Sequence, residues 1–127
     1  MYKQALLAGS VSAILAVILG AFGAHALKAK LSPDMLQVFE TGIRYQFYHS
    51  FALLLTGIIY ASFPVKNLEL ASTFFIIGIA LFSGSLYAMS FMSISRASIG
   101  KLGIITPIGG IFFILGWVQL AWGIMKK

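Results

Sequence analysis

Four stretches of this chain, Ala5 to Leu27, Tyr45 to Val65, Leu70 to Ser95 and Leu102 to Met125, contain no Asp, Glu, Lys or Arg. An α-helix rises about 1.5 Å per residue and needs roughly 20 apolar residues to cross a hydrocarbon core about 30 Å thick, so each stretch is long enough to span a bilayer. Of the 127 residues, 60% are hydrophobic and only 9% charged, against about a quarter charged in an average soluble domain. Too few charges are present to cover a water-facing surface. The sequence predicts an all-α integral membrane protein, a four-helix bundle in one domain, with an amphipathic lead-in to the second helix. Expected helices lie near 3–27, 33–62, 69–92 and 103–125, and membrane lipid is the expected partner.

The net charge of +6 comes from nine Lys and Arg scattered at helix ends rather than gathered on one face. That distribution argues against nucleic acid and for juxtamembrane anchoring to anionic lipid. Cys is absent, which excludes disulfides, thiolate metal sites and a Cys nucleophile. Met1-Tyr2-Lys3, the apolar run behind it and Ala24-His25-Ala26 imitate a cleaved export signal. The run exceeds the roughly 7–15 apolar residues of such a signal, so it reads as a retained first helix. Four spans put both termini on one side with Lys3, Lys66, Lys126 and Lys127; the other, distal side holds Lys28, Lys30, Arg44, Arg96 and Lys101. That near-balance leaves the positive-inside rule little to decide. Cytoplasmic termini are the lean, because Arg44 can pair with Glu40 one turn away.

Local signals fit this plan. Gly9, Ser12, Ala16, Gly20 and Gly23 place small residues along one stripe of the first helix, where a neighbouring backbone can approach closely. Ser32, Pro33 and Asp34 form a helix start. Met35, Phe39, Ile43 and Phe47 then share one face, while Gln37, Thr41, Arg44 and Tyr48 share another. Pro64 forces a turn between the second and third helices. Ser93 to Lys101 reads as the last loop, and Trp117 and Trp122, with Tyr2 and Tyr60, read as interfacial anchors.

Polar residues at membrane depth collect in the distal half. Measured along ideal helices, His25 lies near the distal interface and His49 about 7.5 Å inward from it; Tyr87 lies about 13 Å deep. Tyr45, Gln46, Ser83, Ser85, Ser90 and Thr106 join them, and Pro107 is expected at a helix start. The terminal-side half looks plainer, with Gln4, Thr56, Thr73 and Gln119. Such groups face protein or water because hydrocarbon offers no partner. Two readings stand: a distal pocket formed by His25, Arg44, Tyr45, Gln46, His49, Ser83, Ser85, Tyr87 and Thr106, or interhelical hydrogen bonds that only hold the bundle together.

The segments Gly20-Ala21-Phe22-Gly23-Ala24-His25, Thr41-Gly42 with Tyr45-Gln46 and His49, Phe82-Ser83-Gly84-Ser85-Leu86-Tyr87, and Thr106-Pro107-Ile108-Gly109-Gly110 with Gly116-Trp117 resemble the signature of the YgdD/YwdK-like family. That family is the domain of unknown function 423, comprising small bacterial inner-membrane proteins with a related mitochondrial branch. The resemblance spans nearly the whole chain and implies a four-helix protein of the bacterial inner membrane. It implies no activity, and all its motifs fall in the distal half.

Two His on different helices are a weak signal for haem or metal, with no third strong ligand beside them. Ser83, Ser85 and His49 lack an orienting acid, and no span carries Asp or Glu for a proton relay. The sequence is therefore read as a non-enzymatic protein with no cofactor and no bound metal. Its distal pocket would take a lipid headgroup, a small amphiphile or a partner's transmembrane helix. The alternative is a subunit of a homo-oligomeric small transporter or channel.

Overall fold

The computed structural model describes residues 1–95 and 99–126. Arg96 and Lys127, two of the counted cations, lie outside them, as do Ala97 and Ser98 of the last loop. The described residues form four long helices: α1 (Lys3–Leu27), α2 (Pro33–Ile59), α3 (Lys66–Ile94) and α4 (Leu102–Met125). Both α1 and α3 contain one wider π-helical turn, at Leu19–Gly23 and Ile79–Ser83.

The start of α2 is as the sequence predicts. The Ser32 hydroxyl accepts the Met35 N–H at 3.2 Å, Pro33 occupies the first turn and Asp34 follows. The lead-in does not lie apart from the span but continues straight into it, burying Phe39 and Ile43. Two expected boundaries shift. The carbonyl of Ile59 accepts from both Ser62 and Phe63, so α2 ends there in a turn and not at residue 62. Helix α3 begins three residues early, at Lys66, because extended Val65 already redirects the chain and Glu69 in the first turn suits the positive helix end.

Three helices are long and apolar enough to cross a membrane by length and composition: α1, α3 and α4. Helix α2 is 27 residues long but carries Gln46, His49, Ser50 and Thr56, all buried. Its polar side chains are sheltered by its neighbours, since α2 and α3 form the middle of the bundle. Helix α1 packs along α2 and α4 along α3, while α1 and α4 take opposite flanks. Broad apolar faces, including Val11, Ile14 and Ile18 of α1 and Ile104, Ile111 and Ile114 of α4, point outward as a lipid-facing surface must.

Each outer helix fits its partner by placing small residues against large ones. Down α1, Gly9 meets the Ser50 carbonyl and Leu53, Gly20 meets Ile43, and Gly23 meets Phe39. Down α4, Gly123 meets Leu68, Gly116 meets the Phe75 ring and Gly109 meets the Phe82 backbone. Phe113 in turn sits against Gly78. On both sides of this antiparallel seam the contacts step by four, three and seven residues, the repeat of two helices packed at a shallow angle. The Gly contacts draw α4 tightly onto α3, whereas its backbone makes little close approach to α2.

Candidate functional site

Most of the polar side chains singled out from the sequence are used inside the bundle. The Tyr87 hydroxyl donates to Gln46 Oε1 at 2.6 Å, and Gln46 Nε2 donates to the Ser12 carbonyl at 2.8 Å, joining α1, α2 and α3. The Ser50 hydroxyl lies 2.8 Å from that of Ser12. Ser83, at the end of the π turn of α3, donates to the Gly42 carbonyl at 2.6 Å. Ser85 pairs with Thr106 across α3 and α4. Among the described residues no buried side-chain nitrogen or oxygen lacks a partner. These groups offer a ligand nothing that is not already engaged, and unmaking such bonds in a dry interior costs about 1–3 kcal/mol each.

His49 is held from both ends. Its Nδ1 lies 2.8 Å from the Tyr45 carbonyl, which only accepts, so Nδ1 carries the proton and donates. Nε2 then presents a lone pair, and Trp117 Nε1–H donates to it at 3.1 Å. The imidazole also stacks on the Phe113 ring, centroids 3.5 Å apart. A neutral ring with its only lone pair occupied cannot ligate haem or metal without breaking the Trp117 bond. Nor do three or more His, Asp or Glu gather anywhere among the described residues.

What remains open is a groove between α2 and α4. Tyr45 and His49 form one wall, Phe82 of α3 the floor, and Pro107, Gly110, Ile111, Phe113, Ile114 and Trp117 of α4 the other wall, enclosing about 400 Å³. Its base is an aromatic cluster, with the Tyr45 and Phe82 centroids 4.6 Å apart and Phe82 and Phe113 5.4 Å apart. Gly110 keeps it open, since a Cβ there would find only Phe82 Cδ2, at 3.9 Å. The outer lip consists of exposed Ile111, Ile114 and Trp117, so the groove faces lipid.

The structure thus divides the expected set. Tyr45 and His49 line the groove; Gln46, Ser83 and Tyr87 lie in the core; Ser85 and Thr106 join α3 to α4. His25 is exposed at the end of α1, and Arg44 is exposed on α2; neither lines the groove. Tyr45 and His49 do not converge with Tyr87 as expected, because consecutive helical positions diverge by about 100° and it is Gln46 that faces Tyr87. Pro107 is not at a helix start but inside α4, on the groove wall. The Glu40–Arg44 pair does not form: among the described residues the ion pair is Lys66–Glu69, at 2.8 Å.

Depth is also corrected. His49 precedes Ile59 by ten residues, about 15 Å, and follows Pro33 by sixteen, while Trp117 precedes Met125 by eight, about 12 Å, so their bond lies toward the middle of α2 and α4 rather than near their distal ends. Trp117 is therefore no interfacial anchor. The sequence did hold a signal for this, since a buried indole N–H needs an acceptor and His49 is among the few polar residues of α2 that can supply one. Phe82, Gly110, Ile111, Phe113 and Ile114 were indistinguishable from ordinary apolar filling. The terminal-side half is richer than expected: Asn67 donates to Gln119 at 2.7 Å, Tyr60 to Glu69 at 2.8 Å, and the Tyr2 and Tyr60 rings lie 5.2 Å apart.

Residues 19–110 match the family described as "Protein of unknown function (DUF423)". The chain is similar to a "UPF0382 membrane protein" of Staphylococcus aureus, 42% identical over 118 residues, 93% of this chain and 92% of the relative. The "UPF0382 membrane protein YwdK" of Bacillus subtilis is 38% identical over 125 residues, 98% of each chain. A "UPF0382 membrane protein" of Haemophilus influenzae is 41% identical over 118 residues, 93% of this chain and 90% of the relative. No solved structure matches the chain.

Proposed function

Because the chain belongs to the DUF423 family of membrane proteins of unknown function, its role has to be argued from its own surface, and we propose that the groove between α2 and α4 binds the hydrocarbon chain of a membrane amphiphile. One observation carries this reading: a concavity of about 400 Å³ with an aromatic floor opens on the lipid-facing side while every buried polar group nearby is already paired. That volume falls within the roughly 300–1,000 Å³ of small-molecule sites, which are typically apolar with few polar groups. The His49–Trp117 bond ties the two walls together, which supports a groove that is formed before anything enters it. Among the described residues no hydroxyl nucleophile is paired with His49, and the role proposed is binding without catalysis.

The experiment is purification in mild detergent followed by mass spectrometry of extracted lipid. The expected result is one retained amphiphile per chain, lost when Gly110→Leu fills the groove. Retention unchanged by Gly110→Leu would overturn the reading. Solute or ion flux in proteoliposomes that disappears with His49→Ala would replace it with a homo-oligomeric transporter or channel subunit.

A further inference from the structure

Resting on that reading, we infer that the occupant is an anionic phospholipid whose phosphate is held by Arg44. With the end of α2 at Ile59 set at the edge of the hydrocarbon core, the helix rise puts the His49–Trp117 bond about 15 Å inside it, near the bilayer centre. Arg44 lies five residues before His49, about 7.5 Å nearer the distal side, and so starts about 7 Å inside the edge of a hydrocarbon core about 30 Å thick. It is exposed, and among the described residues it forms no ion pair with Glu40 or any other carboxylate. A cation left unpaired at that depth is costly, which makes such a residue a site by default and demands an anion.

The protein does not supply that anion, and the bilayer can. Helical side chains slant toward the helix N-terminus, which for α2 is the distal side, so the guanidinium reaches back toward the lipid phosphate level. Its planar fork suits bidentate contact with phosphate oxygens. Arg44 directly precedes Tyr45 of the groove wall and points about 100° around α2 from it, onto the exposed face beside the groove; the Tyr45 hydroxyl makes no hydrogen bond among the described residues and is free to donate to the same lipid. One molecule can thus lay a chain over Phe82 and place its phosphate at Arg44. An anionic lipid answers the unpaired charge where a zwitterionic one brings its own cation.

Trp117 is the probe. With Trp122→Phe as background, one of the two Trp remains. Vesicles of phosphatidylcholine are doped with chain-brominated phosphatidylglycerol or chain-brominated phosphatidylcholine, and Trp117 quenching is followed against mole fraction. Half-maximal quenching is expected at about fivefold lower brominated phosphatidylglycerol than phosphatidylcholine, the ratio that corresponds to about 1 kcal/mol for one cation near anionic lipid. Arg44→Gln should bring the two curves together, and Lys30→Gln should leave them apart. A preference that survives Arg44→Gln, or falls equally in Lys30→Gln, overturns the assignment of the phosphate to Arg44 and leaves the groove untouched. Quenching by both lipids that Gly110→Leu does not change would instead remove the groove reading itself.

Discussion

Near the middle of a bilayer an imidazole is tolerated only if both nitrogens find partners, and His49 shows how one is accommodated. Its own helix supplies an acceptor for Nδ1–H and α4 supplies a donor for Nε2. Trp117→Phe is expected to lower stability by about 1 kcal/mol, and His49→Leu by a similar amount; combined, the two should cost clearly less than their sum, because each single change strands the other's partner. Thermal unfolding of the three variants in detergent checks this. Gln46 is the corresponding point of the core, so Tyr87→Phe should destabilise by about 1 kcal/mol, and Gln46→Leu by more, since it strands the Tyr87 hydroxyl and also removes the second bond to the Ser12 carbonyl, which keeps its place in the α1 backbone ladder. The sequence made it legible that these residues are polar and deep. Which face each took was not legible, because neighbours on a helix differ by about 100° and only the packed partners decide between a core position and a groove wall.

Along the helices, spacing governs what can be replaced. The small stripe of α1 was readable and does meet α2, but its tight point is Gly9, where a Cβ would come 2.8 Å from the Ser50 carbonyl. At Gly20 the nearest atom, in Ile43, is at an ordinary 3.4 Å. Gly9→Leu should therefore unfold or separate the α1–α2 pair, while Gly20→Leu is the milder change. On α4 the matching device is not legible in the sequence, because Gly109, Gly116 and Gly123 recur every seven residues and show their purpose only opposite Phe82, Phe75 and Leu68. Gly116→Ala places a methyl 2.5 Å from the Phe75 ring and should cost about 2 kcal/mol or more, as overpacking does. Gly84→Ala meets nothing within 4 Å and should be neutral or stabilising by up to about 1 kcal/mol, the helix preference of Ala over Gly. Comparing the unfolding temperatures of these two Ala variants tests the seam.

For the whole molecule, the membrane class and the positions of the helices were legible because long uncharged runs leave a chain few alternatives. The arrangement of the helices was not. Hydropathy alone admits α1, α3 and α4 as spans, while α2 has the length to cross and keeps its polar residues sheltered between neighbours, a fact of packing that no window along the sequence contains. If all four helices cross, tags at Met1 and Lys127 should report one compartment and a tag in the loop after Leu27 the other; opposite termini would remove the four-span plan. The same arrangement, with α4 packed on α3 and its backbone seldom close to α2, forms the groove on which the functional account depends. A structure determined in lipid nanodiscs containing phosphatidylglycerol tests that account most directly. It should show acyl-chain density over Phe82 between Tyr45 and Ile114, with the His49–Trp117 bond intact beneath it. A groove closed by the approach of α4 to α2, or filled by a helix of a second copy, would contradict it.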